Sequence, residues 1–313
     1  MGANSNFPYI WKNDEPGSKT LSEVFKHQYP EIKKILLDGG AILFKSFGID
    51  NPLKLQECAN TFPGKSIDYA GGNSPRTNLH GNVYTSTEQP AESWISLHNE
   101  LSYASIWPSH IFFCCETPAQ EGGNTTIADS RKILADLSPE VVKIFRKKGV
   151  QYIRNLHGGQ GAGPSWQQTF ETQNPADVEL HCKSNDILFE WGRSNKLKLI
   201  EKRQAIIKHA ETQEEVWFNQ ADQFHPSTNS EEIYEALMEI YEDNLQEMPQ
   251  YVCFNDGSEI PLEMLEEIRK VGHRNTVLFD WEKGDLLLLD NILSAHGRSP
   301  FKGPRKILVA MTS

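Results

Sequence analysis

The sequence predicts a mainly β protein with added helices, built on a jelly-roll core. Three observations carry this. Stretches rich in β-branched and aromatic residues recur from Asn82 onward, helical patterns are few and peripheral, and glycine-rich corners separate the strands. Residues 1–17, rich in Asn, Pro and Gly, read as an irregular arm. Helical signals follow: Ser18-Lys19-Thr20 precedes Leu21, Val24 and Phe25, and Pro30 opens Glu31 to Leu37, which Gly39-Gly40 stops. Ala41 to Phe47 reads as a strand and Pro52 to Phe62 as a short helix.

From Val83 to Thr87, Ser93 to Tyr103 and His110 to Cys115 the pattern is β. A helical interlude covers Arg131 to Lys148, broken at Leu137-Ser138-Pro139. Strand-like pieces return at Val150 to Asn155, Val178 to Cys182, Lys196 to Ile200 and Val216 to Phe218. Ser230 to Met248 reads as the clearest helix, with Ser230 as cap, Glu231 and Glu232 at the dipole's positive end, and Ile233, Leu237, Ile240, Tyr241 and Leu245 on one face. The last β block comprises Val277 to Trp281, Asp285 to Asp290 and Lys306 to Met311. No linker separates two domains, so 1–313 reads as one domain: the arm, a lead-in over 18–62 and a core over 69–311.

Composition narrows the function. Lys plus Arg number 31 against 42 Asp plus Glu, a net charge of −11. That balance argues against nucleic acid and anionic membranes, which both reward a basic surface. Apolar stretches such as Ile111 to Cys115 and Ile307 to Met311 fall far short of the roughly 20 residues of a membrane span. No charged, then apolar, leader opens the chain, and a cytoplasmic protein is expected. Cys58, Cys114, Cys115, Cys182 and Cys253 include no C-x-x-C pair and read as buried free thiols.

The chemistry begins at His98-Asn99-Glu100, inside a probable strand. Alternation points His98 and Glu100 the same way, roughly 7 Å apart, so both can grip one metal ion. A second His would complete two imidazoles and a carboxylate on one face, which suits non-haem iron(II) and oxygen. The same ligand set suits zinc. Further on, the apolar Leu286 to Leu289 leads to Asp290-Asn291 and then His296, with Gly297-Arg298 adjoining and Arg305 nine residues beyond. Arg305 opens the final strand and can fork onto a carboxylate. At this point His296 and Arg305 also read as ordinary loop and strand residues.

Longer pieces then become recognisable: Tyr69-Ala70-Gly71-Gly72-Asn73-Ser74-Pro75-Arg76, Val83 to Glu88, His98-Asn99-Glu100, Glu121 to Ser130, Trp217 to Gln220, and Gly284-Asp285 through His296-Gly297-Arg298 to Arg305. Together they resemble the iron(II)/2-oxoglutarate-dependent dioxygenases of the taurine-dioxygenase and clavaminate-synthase superfamily, and most of all the syringomycin-type aspartate hydroxylases. The resemblance spans about Tyr69 to Met311 and implies a double-stranded β-helix, the jelly-roll core. It implies His98, Glu100 and His296 as iron ligands, with Arg305 and Thr125 holding 2-oxoglutarate and O2 as second cosubstrate. Asn124 stands where the family has an acid before that threonine.

Glu100 retains the carboxylate that related halogenases lack, so the resemblance speaks against halogenation. Val309 stands where taurine dioxygenase has the arginine that holds its sulfonate, which speaks against that substrate. For the substrate, Arg298 reads either as a contact to an anionic group or as a structural ion pair. Arg76 reads as a carboxylate contact or as a solvated loop residue, and Asn219, Gln220 and His225 as polar pocket contacts or backbone caps. Asn99 reads as structural. Gly158 to Gly163 lacks the Lys and Ser or Thr of a phosphate loop and reads as a corner.

The resulting expectation is an oxygenase that hydroxylates a C–H bond of an amino acid, free or presented on a peptidyl carrier protein, in specialised metabolism. Desaturation or cyclisation of a free small carboxylate and a non-catalytic jelly-roll binding protein are the alternatives. Lys143 to Lys148 and Lys196 to Arg203 are the candidate basic patches for an acidic carrier protein.

Overall fold

The computed structural model describes residues 7–15, 17, 19–67, 72, 76–161, 163–241 and 244–313. The chain runs through β1 (Tyr9–Lys12), α1 (Leu21–Gly39), β2 (Ala41–Lys45), α2 (Pro52–Thr61), β3 (Asn78–His80), β4 (Val83–Thr85) and β5 (Ile95–His98). Next come β6 (His110–Thr117), β7 (Glu121–Gly122), β8 (Thr125–Asp129), α3 (Ser130–Asp136), α4 (Pro139–Lys148), β9 (Val150–Leu156), α5 (Trp166–Phe170) and α6 (Pro175–Ser184). They are followed by β10 (Leu188–Trp191), β11 (Leu197–Arg203), β12 (Ile206–Lys208), β13 (Glu215–Trp217), α7 (Ala221–Phe224), α8 (Glu231–Ile240) and β14 (Gln250–Phe254). The chain closes with α9 (Leu262–Asn275), β15 (Leu286–Asp290), β16 (Ser294–Arg298), β17 (Phe301–Lys302) and β18 (Lys306–Thr312).

A seven-stranded sheet in the order β1-β2-β15-β6-β18-β4-β3 forms one wall of the jelly roll. Facing it is the three-stranded sheet β5-β16-β8. Strand β15 lies inside the sheet, between β2 and β6, where its four leucines suit burial on both faces. Leu286 and Leu288 pack outward against α1 and α2, with Phe25, Leu55 and Phe112. Leu287 and Leu289 pack inward, with Phe113, Met311 and Ile127 of β8. A four-stranded sheet, β10-β11-β9-β14, flanks this core.

Local chemistry sets the helix ends. Thr20 caps α1 in a reciprocal capping box with Glu23, and Gly40 ends it in the left-handed conformation. The helix runs through Pro30 as one element, kinked at Gln28, rather than as the two expected helices. Ser138 and Pro139 break the interlude into α3 and α4 as the sequence predicts.

Several readings are corrected. Within the arm expected to be irregular, Tyr9–Lys12 pairs in parallel with β2. Val178 to Cys182 is helical: Asn174 caps α6, Pro175 takes its first turn, and Val178 and Cys182 are buried one turn apart. The helix expected to reach Met248 ends at Ile240, with no residue buried among those described, and Leu245–Glu247 forms a separate 3-10 turn. The strand expected over Val277 to Trp281 is one bridge, Val277 to Ile127. Beyond it, the Phe279 and Trp281 rings meet edge-to-face where a ladder was expected. The strand expected to reach Tyr103 ends at His98. Residues 69–71 and 73–75 of the loop before Arg76 lie outside the described residues.

All five cysteines are buried and free, as expected. Among the described residues no helix is long and apolar enough to cross a membrane.

Candidate metal centre

Strands β5 and β16 are antiparallel neighbours, with His296 directly opposite His98. The two imidazoles therefore leave the same face of the small sheet, their ring centroids 4.4 Å apart. Glu100 arrives differently from the pleat alternation expected. It lies past the end of β5, in a turn whose next residue, Leu101, has φ of 55°. Its carboxylate nonetheless stands 3.5 Å from His296 Nε2. One donor atom from each of His98, Glu100 and His296 lies within 4.8 Å of the other two, and all three residues are buried.

The protonation states suit a cation. Burial, and then the neighbouring His296, pulls His98 down to about 4, so its ring is neutral at physiological pH. His98 Nδ1 lies 2.9 Å from the Ser96 carbonyl, which assigns the proton to Nδ1 and leaves the Nε2 lone pair free. Gln223 Nε2 lies 3.1 Å from the same Nδ1. Burial alone would raise the Glu100 carboxyl. Arg76, whose Nη2 donates to Glu100 Oε2 at 2.7 Å, outweighs it together with His296 and holds the group well below the usual carboxylate range. His296 packs on Phe113, ring centroids 5.0 Å apart, and its Nδ1 is buried with no hydrogen-bond partner among the described residues. The neutral His98 imidazole and the ionised Glu100 carboxylate, buried together with His296, fit a divalent ion of borderline character.

A small cavity opens beside this group. Its lining includes His98, His296, Arg76, Thr125, Arg298 and Arg305. Arg305 Nε donates to the Gly123 carbonyl at 2.8 Å. Gly123 has φ of 68°, and a Cβ there would lie 2.9 Å from Arg305 Cδ, so the arginine lies flat against a residue that must be glycine. Among the described residues no carboxylate pairs with Arg305. Burial, and then the like charge of Arg298, lowers it to about 10, still cationic at neutral pH. A half-buried cation with no counter-ion among the described residues fits a carboxylate ligand. Thr125 Oγ1 accepts from Trp281 Nε1 at 3.1 Å and so keeps its own proton for a ligand.

The other candidates divide. Arg76 is buried on Glu100 rather than solvated. Arg298 lines the cavity but donates to the carbonyls of Gln89, Pro90 and Ser93, clamping that loop, and stacks on Phe301. Neither an ion pair nor a free anion contact describes it. Asn219 lines a different cavity behind the small sheet; its amide is spent on the Ala205 carbonyl and the Ala221 N–H. Gln220 donates to the Asn99 carbonyl at 2.9 Å. His225 is outside the cavity lining: its Nδ1 accepts from Ser227 N–H and caps the turn at Pro226–Thr228. Asn99 is structural, donating to the Asn291 carbonyl. Sequence reasoning gave no role to Ser86 and Thr87, which line the cavity, or to Asn291 and Gln223. The Val83 to Glu88 motif held the only signal for the first two.

Comparison with known proteins places this geometry. Residues 13–312 match the family described as taurine catabolism dioxygenase TauD, TfdA family. The chain is 34% identical over 292 residues to the dapdiamide synthesis protein DdaC of Enterobacter agglomerans, covering 93% of this chain and 87% of that protein. It is 28% identical over 301 residues to the clavaminate synthase-like protein At3g21360 of Arabidopsis thaliana, with the same coverage, 93% and 87%. Among solved structures, PvcB, described as an Fe, alpha-ketoglutarate dependent oxygenase from an isonitrile synthetic pathway, aligns with TM-score 0.54 at 13% identity, over 97% of this chain and 84% of that one. AAD-2 in complex with Mn(II) and N-oxalylglycine aligns with TM-score 0.55 at 13% identity, over 97% and 93%. At these identities the structural likeness establishes the fold.

Proposed function

We propose that this chain, which belongs to the taurine catabolism dioxygenase TauD, TfdA family, is a cytoplasmic, single-domain oxygenase that hydroxylates a C–H bond of an amino acid or a carrier-tethered aminoacyl unit in specialised metabolism. The observation that carries the reading is one cavity bordered by the His98 and His296 imidazoles and by the half-buried Arg305, which has no carboxylate partner among the described residues. The chemistry that iron(II), 2-oxoglutarate and O2 supply when bound is oxidation of an unactivated C–H bond.

The chain's own residues do the positioning. His98, Glu100 and His296 would hold the iron, Glu100 kept ionised by Arg76 and His98 kept neutral by burial. Arg305 would take the distal carboxylate of 2-oxoglutarate, with the Thr125 hydroxyl donating beside it. Arg76, at the cavity wall, is the candidate for an anionic substrate group. Arg298 orders the loop at Gln89 to Ser93 that borders the cavity. The likeness to a dapdiamide synthesis protein supports a biosynthetic role.

A free substrate is the second reading, and one observation favours it. In the segments expected to form a basic patch for a carrier protein, Arg146, Lys148, Lys198 and Arg203 are paired with Glu215, Asp256, Glu247 and Glu201. The test is incubation with iron(II), 2-oxoglutarate, O2 and amino acids, each free or carrier-loaded, reading succinate and product mass. Gain of one oxygen identifies hydroxylation, and loss of two hydrogens identifies desaturation or cyclisation. Succinate formation indifferent to every amino acid in both forms would overturn the substrate class.

A further inference from the structure

We infer that Asn291 is the residue that positions the Glu100 carboxylate for metal binding, an inference that rests on the metal reading above. Glu100 sits beyond the end of β5, so no strand ladder fixes its backbone. Asn291 replaces the ladder. Its Oδ1 accepts from Glu100 N–H at 2.7 Å, and its Nδ2 donates to the Glu100 carbonyl at 3.0 Å and to the Pro108 carbonyl at 2.9 Å.

Asn291 is fully buried, and its backbone is engaged as well. Its N–H donates to the Ser109 carbonyl at 2.9 Å, and its carbonyl accepts from Asn99 Nδ2 at 2.7 Å. Only a side-chain amide of this length supplies one acceptor and two donors in that arrangement. Aspartate keeps the acceptor and loses both donors. The same segment carries His296 five residues later, so one buried amide ties two ligands from distant parts of the chain into a fixed separation. Ser130, which accepts from Asn99 Nδ2 at 3.2 Å and has no hydrogen bond to Glu100 among the described residues, belongs to the same buried amide network and is the natural comparison.

The experiment is anaerobic titration of iron(II) into the wild-type protein, Asn291→Asp and Ser130→Ala, with circular dichroism on each metal-free protein. Asn291→Asp is expected to bind iron(II) about 10- to 100-fold more weakly, while Ser130→Ala binds as the wild type does. A folded Asn291→Asp with wild-type affinity, or a Ser130→Ala loss as large as that of Asn291→Asp, would overturn the assignment. Should Asn291→Asp not fold, hydrogen exchange in the wild type decides. The Glu100 amide is expected to be strongly protected without metal, and exchange at free-loop rates would refute the clamp. Wild-type protein that binds no iron(II) overturns the metal reading itself, and the inference with it.

Discussion

At the scale of the residue, the half-buried Arg305 is the proposed anchor for the distal carboxylate of 2-oxoglutarate. Its guanidinium is anchored by one bond to the Gly123 carbonyl and borders the cavity with no carboxylate paired to it among the described residues. Removing it deletes charge-assisted hydrogen bonds worth about 1.5–3 kcal/mol. Arg305→Ala is therefore expected to weaken 2-oxoglutarate binding by about tenfold to a hundredfold and to leave iron(II) binding unchanged, as calorimetry would show. His225 is a buried group whose cost appears with acid. Burial, and then Arg269, lowers it to about 4 in the folded protein, against about 6.5 when unfolded. Between those values the unfolded chain takes up a proton that the folded chain refuses, so stability falls as pH drops from 6.5 toward 4 and levels off below. The loss attributable to His225 is up to about 3 kcal/mol. Urea denaturation at pH 7 and pH 4.5 should show a smaller acid loss for His225→Gln than for the wild type, and an equal loss would contradict the account.

At the scale of the element, the small sheet is held together where a side chain has no room. A Cβ on Gly297 would run into the Ile95 carbonyl oxygen and lie 2.7 Å from Thr126 Oγ1, at the register shift between β16 and β5. Gly297→Ala should cost about 1–3 kcal/mol, read by denaturation, and should weaken metal binding by spreading His98 from His296. The same sheet shows what a sequence discloses. His98 and Glu100 stand out as an H-x-E pair in a β-rich stretch, whereas His296 and Arg305 read locally as ordinary residues and are singled out by the family resemblance. Ser138-Pro139 and Thr20 announced their helix ends through local patterns. Glu100's partners were not legible, because Arg76 is 24 residues away and Asn291 is 191 away, and no local pattern encodes such pairings. Ser294–Arg298 has no strand propensity and is a strand because β5 and β8 pair with it on both sides. Helix α9 went unread although Leu265, Ile268 and Val271 recur at helical spacing and are buried.

At the scale of the whole molecule, two walls of sheet enclose a site whose charges complement its expected ligands. Within a chain of net charge −11, the cavity gathers Arg76, Arg298 and Arg305, where an anionic cosubstrate is drawn. Because the site spans elements from both sheets, loading it should stabilise the fold as a unit. Iron(II) and 2-oxoglutarate at about 100 times their dissociation constants should each add about 2.7 kcal/mol and raise the thermal midpoint by several degrees, with Arg305→Ala losing the 2-oxoglutarate increment. The most direct measurement is the anaerobic visible spectrum of the wild-type protein as iron(II) and then 2-oxoglutarate are added, with Glu100→Ala alongside. The account predicts a weak charge-transfer band that develops only when both are present, saturates at one equivalent per chain, and is lost or sharply weakened in Glu100→Ala. Folded wild-type protein that develops no band, or a band of equal strength in Glu100→Ala, would contradict the assignment of His98, Glu100 and His296 as the iron centre.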